Sequence, residues 1–272
     1  MGEARRAPHA RRHLLRSLGP GRAARVGRRR LERLAAGRRS TSPCESPEDT
    51  HLPTRPDTTS NPRHELQTRL RGLYLIFDPE VAGEHDPLEV TRRAIEGGAR
   101  LVQYRDKTRE KGVQLPIARA LQALCRQSEA LFFLNDHVDL ALAIGADGVH
   151  LGQRDLPVTV VRGIVPPQML VGCSTNNPDE ARLAEAAGAD YVSVGRLFPT
   201  ESKFNTRPAT LDTLRSIKAA VSIPVCAIGG ISQSNIGDVI EAGADMAAVI
   251  SAVIAAEDVR EATGRLAGRF AA

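Results

Sequence analysis

Tryptophan is absent from the 272 residues, and all aromatics together make up 3%. That is poor equipment for stacking on single-stranded nucleic acid. Cysteine is scarce as well: Cys44, Cys125, Cys173 and Cys226 lie far apart and form no Cys-x-x-Cys pair. A disulfide framework or a thiolate zinc site is therefore not expected, and a reducing compartment is the default. No apolar run approaches the ~20 residues of a membrane span. The expectation is a soluble, cytoplasmic protein without a membrane partner. Lysine is missing from the first 40 residues, which hold 13 arginines against Glu3 and Glu32, a net +11. The whole chain carries +5, so the other 232 residues carry −6. The basicity belongs to the N-terminus, and the mildly acidic remainder points away from nucleic acid as a partner.

Residues 1–65 are Arg, Gly, Pro, Ser and Thr with little apolar periodicity. Such a stretch buries too little surface to offset its ordering entropy, so a disordered Arg-rich extension is expected. A functionless solvated tail, including one from a start codon placed too far upstream, is one reading. An organelle transit peptide is another, though glycines and prolines interrupt any amphipathic helix. An arm for nucleic acid or a membrane surface is the third.

Of the whole chain 42% is hydrophobic, enough for one sizeable core, and residues 66–272 read as one domain. From Leu70 onward short β-branched runs alternate with stretches of helical period. Strands are expected at Gly72–Phe77, Arg100–Tyr104, Leu131–Leu134, Gly148–Leu151, Leu170–Cys173, Tyr191–Val194, Val225–Ile228 and Ala247–Ile250. Helical segments separate them and Asp258–Phe270 closes the set. Eight βα units in about 200 residues imply an α/β fold, a closed (β/α)8 TIM barrel. A repeat supports the count. Gly-Ala-Asp recurs at Gly145–Asp147, Gly188–Asp190 and Gly243–Asp245, with Gly98-Ala99-Arg100 a degenerate fourth copy. The copies precede strands two, four, six and eight, so their aspartates lie at the bottom of the barrel, where a structural role is expected.

Barrel active sites are assembled from the residues after each strand. Strand two leads into Gln103-Tyr104-Arg105-Asp106-Lys107. If the extended backbone continues, Gln103, Arg105 and Lys107 share a face toward the mouth. One amide and two cations suit a phosphate or pyrophosphate; a solvated charged loop is the bland reading. Asn135-Asp136 follows strand three and Gly152-Gln153-Arg154-Asp155 follows strand four. Asp136 and Asp155 can therefore converge on Mg²⁺, with helix N-capping as the rival role. His150 is expected to be packed in the core, and His137 to be structural. Strand five ends at Gly172-Cys173-Ser174-Thr175-Asn176, where Ser174 offers a hydroxyl and Asn176 or Asn177 could cap the next helix. No neighbouring His makes a case for nucleophilic catalysis. A long connection from Gly195 to Pro208 carries Thr200, Ser202 and Lys203 and reads as a binding loop. Strands seven and eight run into Gly229-Gly230 and Ile250-Ser251, the usual phosphate site of this fold.

Taken together, these motifs resemble the thiamine-phosphate synthase family over about Leu70 to Ala256. The resemblance rests on Gln103–Lys107, Asn135-Asp136, Gly148–Gln153, Gly172–Ser174, Phe198–Lys203 and Ile228–Ile231, six short matches in the family's order. It implies condensation of hydroxymethylpyrimidine diphosphate with a thiazole phosphate, giving thiamine phosphate and pyrophosphate. It assigns Gln103, Arg105, Lys107, Asn135, Ser174 and Lys203 to the diphosphate substrate, with Arg105, Lys107 and Lys203 as the catalytic cations. Asp136 and Asp155 would hold Mg²⁺, while Thr200, Ser202, Gly230, Ile250 and Ser251 would line the thiazole-phosphate site. Both implied partners are phosphorylated small molecules, and oligomeric state is left open. Many members have His where Asn176 stands, Thr where Ser202 stands and Pro where Arg196 stands. The alternative on the same barrel is a thiazole tautomerase or another isomerase of a phosphorylated heterocycle. Such relatives depend on a His in that region, and Asn176 cannot transfer a proton at neutral pH.

Overall fold

A computed structural model describes residues 62–200 and 207–271. Eight parallel strands form a closed barrel in chain order: β1 (Gly72–Phe77), β2 (Leu101–Tyr104), β3 (Leu131–Asn135), β4 (Gly148–Leu151), β5 (Leu170–Thr175), β6 (Tyr191–Val194), β7 (Val225–Ile228) and β8 (Met246–Val249). The sequence places all eight. Four match at both ends, the second, third and fifth differ at one end, and the eighth is shifted by one residue. The closing helix is Val259–Ala267 followed by a 3₁₀ turn at Gly268–Phe270.

The helices that follow the strands start where the chain supplies acceptors for their free amides. Asp86, Asn177, Thr210 and Asp258 each take a backbone N–H of the first turn through the side chain. The expected disordered stretch 1–65 lies outside the described residues as far as residue 61. Its last four residues, 62–65, are instead helical, in Pro62–Gln67. That helix is held by Asp190, which accepts Arg63 Nε and Gln67 Nε2, each at 2.6 Å.

Few aromatics exist, and the barrel lumen takes three of the largest. Tyr74, Phe133 and Tyr191 meet with ring centroids 5.6 to 6.3 Å apart. Glycines on neighbouring strands make the room. A Cβ on Gly148 would stand 2.3 Å from the Phe133 ring, and one on Gly172 would stand 2.1 Å from the Tyr191 ring.

The Gly-Ala-Asp repeat has a physical reading at the bottom face. Asp147 donates its N–H to Phe132 O at 3.1 Å while its carboxylate accepts Phe132 N–H at 2.8 Å. Asp190 clasps Val171 in the same way, at 2.7 Å for both bonds. Asp245 clasps Val225 at 2.9 and 2.7 Å. Arg100, in the degenerate copy, has the backbone bond to Leu73 O (3.2 Å) but no carboxylate to return. The structural role expected of the three aspartates holds.

Candidate active site

At the opposite end of the barrel a cavity of about 660 Å³ opens between the strand C-termini. Of the residues singled out in the sequence, Arg105, Lys107, Asn135, Asp136, Asp155, Ser174, Thr200, Gly230, Ile250 and Ser251 line it. They come from seven different strand ends, which only barrel closure brings together. Ser202 and Lys203 lie outside the described residues.

Gln103 is a correction to the expected cluster at the mouth. Its parity is right, but it sits one layer below Arg105, inside the barrel. There it is buried and its Nε2 donates to Tyr74 Oη at 2.8 Å. Arg105 does reach the cavity, yet its charge is already matched by an ion pair with Asp78, which is 1% exposed. Asp78 is the residue immediately after β1. Its position at a strand end is the signal in the sequence that marks it.

The loop after β2 is held rigid by a carboxylate that does not face the cavity. Asp106 accepts the backbone N–H groups of Thr108 (3.1 Å) and Arg109 (3.0 Å), Tyr104 Oη (2.9 Å) and Arg109 Nε (2.6 Å). Burial pushes its carboxyl up, but those donors outweigh it and bring it down to about 2. Lys107 is thereby presented from a fixed turn, with Nζ 2.9 Å from Asp136.

Asp136 and Asp155 do converge, as the neighbouring strands required. They stand close enough for each to shift the titration of the other. Neither caps a helix with its side chain, which removes the rival role: Asp155 accepts Gly152 N–H at 2.7 Å within its own turn. For Asp136, burial raises the carboxyl, but Asp155 and the Lys107 ion pair hold it below its ordinary value. For Asp155, burial and the adjacent Asp136 both raise it. Asp136 also has φ 62°. A non-glycine residue in this region costs about 1–3 kcal/mol, and such strain gathers at functional sites.

Two neighbouring hard carboxylates fit Mg²⁺, which takes one or two protein carboxylates and completes its shell with phosphate oxygens and water. Among the described residues no three His, Cys, Asp or Glu side chains cluster in a way that could hold a metal. A cation at this pair would therefore depend on oxygens from a substrate.

The far wall is backbone. Gly229 (φ 100°) and Gly230 (φ 65°) are in conformations that side chains resist. A Cβ on Gly230 would also stand 2.6 Å from Pro199 O. The stretch after β6 lies across them, with Leu197 N–H on Ile228 O (3.1 Å) and Phe198 N–H on Gly229 O (3.0 Å). Beside it, the short helix Ser251–Ile254 starts at the cavity. Its first bond is Val253 N–H to Ile250 O at 3.1 Å, so the Ser251 and Ala252 amides precede the intrahelical ladder.

Sequence reading missed Arg207 and underrated His150. Arg207 lines the rim, donating to Gln153 Oε1 at 2.8 Å and to both oxygens of Glu180 at 2.8 and 2.9 Å. Nothing in its local pattern announces that contact. His150 is packed as expected, 8% exposed, but it also reaches the cavity floor beside Ser174. Asn177, of the two candidates, caps the next helix, accepting Glu180 N–H at 2.9 Å. Asn176 faces the cavity and donates to Pro208 O at 3.4 Å. The three described cysteines are free. No helix among the described residues is long and apolar enough to cross a membrane.

Residues 73–253 match the family model for thiamine monophosphate synthase. A thiamine-phosphate synthase of Methanospirillum hungatei is 45% identical over 197 residues, 72% of this chain and 96% of that one. One from Synechocystis is 44% identical over 194 residues, 71% of this chain but only 55% of that longer protein. Among solved structures, a thiamine phosphate pyrophosphorylase from Pyrococcus furiosus is 43% identical with a TM-score of 0.69. The match covers 76% of this chain and 98% of that one.

Proposed function

Because the chain belongs to the thiamine monophosphate synthase family and has that family's enzymatic function, we propose that it joins hydroxymethylpyrimidine diphosphate to a thiazole phosphate with release of pyrophosphate. The observation that carries this reading is a single cavity lined by two separate sets of residues suited to anions. One set has Arg105, Lys107, Asp136 and Asp155; the other has Gly230 and the helix start at Ser251. A reaction of two phosphorylated substrates uses both.

Lys107 takes a diphosphate oxygen as a point charge, and Arg105, held by Asp78, offers its remaining donors in a fixed plane. Asp136 and Asp155 would hold Mg²⁺, which when bound neutralises diphosphate charge and eases loss of pyrophosphate. Gly230 and the amides of Ser251 and Ala252 place the thiazole phosphate opposite, so that its ring nitrogen faces the pyrimidine methylene. The methylene C–O bond breaks with its electron pair leaving on pyrophosphate, and the thiazole nitrogen lone pair forms the new C–N bond. That nitrogen carries no proton, so no general base is required. This suits a site in which Asp136 and Asp155 would be given over to the cation. Lys107 and Arg105 stabilise the charge that accumulates on the departing group.

The test is pyrophosphate release by the purified protein with both substrates and Mg²⁺. Release that requires all three supports the reading, and no release from folded protein refutes it.

A further inference from the structure

Beneath the cavity floor a chain of buried polar side chains crosses the barrel, and its hydrogen-bond directions can be worked out. Gln103 Nε2 donates to Tyr74 Oη at 2.8 Å. Tyr74 Oη and Tyr191 Oη are 3.2 Å apart, Tyr191 Oη and His150 Nδ1 are 2.9 Å apart, and His150 Nε2 and Ser174 Oγ are 3.0 Å apart. Tyr74 and Tyr191 are 1% and 0% exposed. Burial pushes both phenols well above their ordinary value, so each keeps its single proton.

The direction follows from counting donors. Tyr74 accepts from Gln103, and its own O–H finds an acceptor in this chain when it donates to Tyr191. Tyr191 then accepts, and its O–H donates to His150 Nδ1. A ring nitrogen that accepts carries no proton, so the imidazole is neutral and its proton is on Nε2, pointing at Ser174. Ser193 Oγ lies 3.5 Å from both Ser174 Oγ and His150 Nε2, and with Nε2 protonated its O–H donates to Ser174. With both lone pairs of Ser174 Oγ engaged, the hydroxyl has one thing left to offer the cavity, its proton.

We infer that Gln103, Tyr74, Tyr191 and His150 form a one-way hydrogen-bond relay that fixes Ser174 as a donor toward the substrate. His150 and Tyr191 are then positioning residues, and the group read by Ser174 is an acceptor, an anionic phosphate oxygen or an unprotonated ring nitrogen. This rests on the proposed reaction for the substrate's identity, but the direction of the relay does not. It also gives Gln103, displaced from the cavity, a role at the head of the chain.

The experiment has two parts. In the substrate-free wild type labelled with ¹⁵N-histidine, the His150 signal is identified by its absence in His150→Gln. The relay requires the Nε2–H tautomer near neutral pH. An Nδ1–H tautomer or an imidazolium overturns it without any bearing on the reaction. In the kinetic part, Ser174→Ala, Tyr191→Phe and the double variant are compared by kcat and KM. A donor aimed at a charged acceptor contributes about 1.5–3 kcal/mol, so Ser174→Ala should lower kcat about 10- to 100-fold. Tyr191→Phe should lower it in the same direction, and the double variant should be no slower than Ser174→Ala alone. Losses that multiply would overturn the relay. If the wild type itself releases no pyrophosphate, the proposed reaction fails, and the tautomer still decides the relay.

Discussion

Asp155→Asn should make the Mg²⁺-free protein more stable while destroying its activity. Asp136 and Asp155 are neighbours at the cavity, and Asp155 is raised by burial first and by Asp136 second. Two like charges about 4 Å apart repel by about 1 kcal/mol in bulk water and about 4 kcal/mol at an effective dielectric of 20. Asp155 is only half-buried, so solvent screening keeps the relief near the lower bound, about 1 kcal/mol. Asparagine can still accept the Gly152 N–H and can donate to Asp136, so little else is lost. For a barrel of this size that is a rise in Tm of about 2–4 °C. The sign with pH is also fixed. A carboxyl raised on folding contributes stability that is full below the unfolded value of about 4 and is lost as pH rises through the folded one. The advantage of the variant should therefore grow with rising pH and vanish in acid. Mg²⁺ at a hundred times its dissociation constant should add about 2.7 kcal/mol to the wild type and much less to the variant. Thermal unfolding by circular dichroism, with Mg²⁺ or EDTA at several pH values, reads all three effects. A variant that melts below the wild type in EDTA, or gains as much from Mg²⁺, would refute the assignment of the pair.

Lys107→Ala should cost at least about a hundredfold in pyrophosphate release. Its half-exposed pair with Asp136 contributes about 0–1 kcal/mol to stability, so Tm should move by only a few degrees; a large drop in Tm with unchanged turnover would reverse the assignment. Asp190→Ala strips partners from Arg63, Gln67, Arg162 and Val171 N–H together and should cost about 3–5 kcal/mol in urea unfolding. Removing residues 1–61 should leave turnover and stability intact, whereas removal through Gln67 takes two of those partners away and should lower the urea midpoint. Asp106→Asn should cost about 2 kcal/mol at neutral pH, given a carboxyl lowered to about 2. A lowered carboxyl contributes above the unfolded value of about 4 and loses that contribution as pH falls toward about 2, so the two urea midpoints should converge in acid.

Strand order and the cavity lining were legible because both follow from periodicity. Apolar runs mark β1 to β8, and strand ends in a barrel face one mouth. Asp136 and Asp155 could be paired because β3 and β4 are neighbours. Depth was not legible: Gln103 and Arg105 have the same parity, and only the twist and tilt of the strands decide which one stops beneath the floor. Contacts over long sequence separation were also hidden. Arg207 meets Glu180 across 27 residues, and Tyr74 meets Tyr191 across 117. No local pattern encodes either meeting.

The aspartate clasps at the bottom face bear on the other end of the molecule. Each carboxylate accepts one particular N–H of the adjoining strand while its own backbone engages the carbonyl of that same residue. A slip of one residue would break both bonds at once. In a closed sheet, slips do not stay local, because the stagger around the ring must sum to a fixed shear. Asp147, Asp190 and Asp245 thus act as gauges at three of the eight junctions. An error of one residue is about 3.3 Å along a strand, enough to separate the Asp136 and Asp155 carboxylates. The spacing across the cavity is calibrated from below, by residues at the opposite end of the barrel.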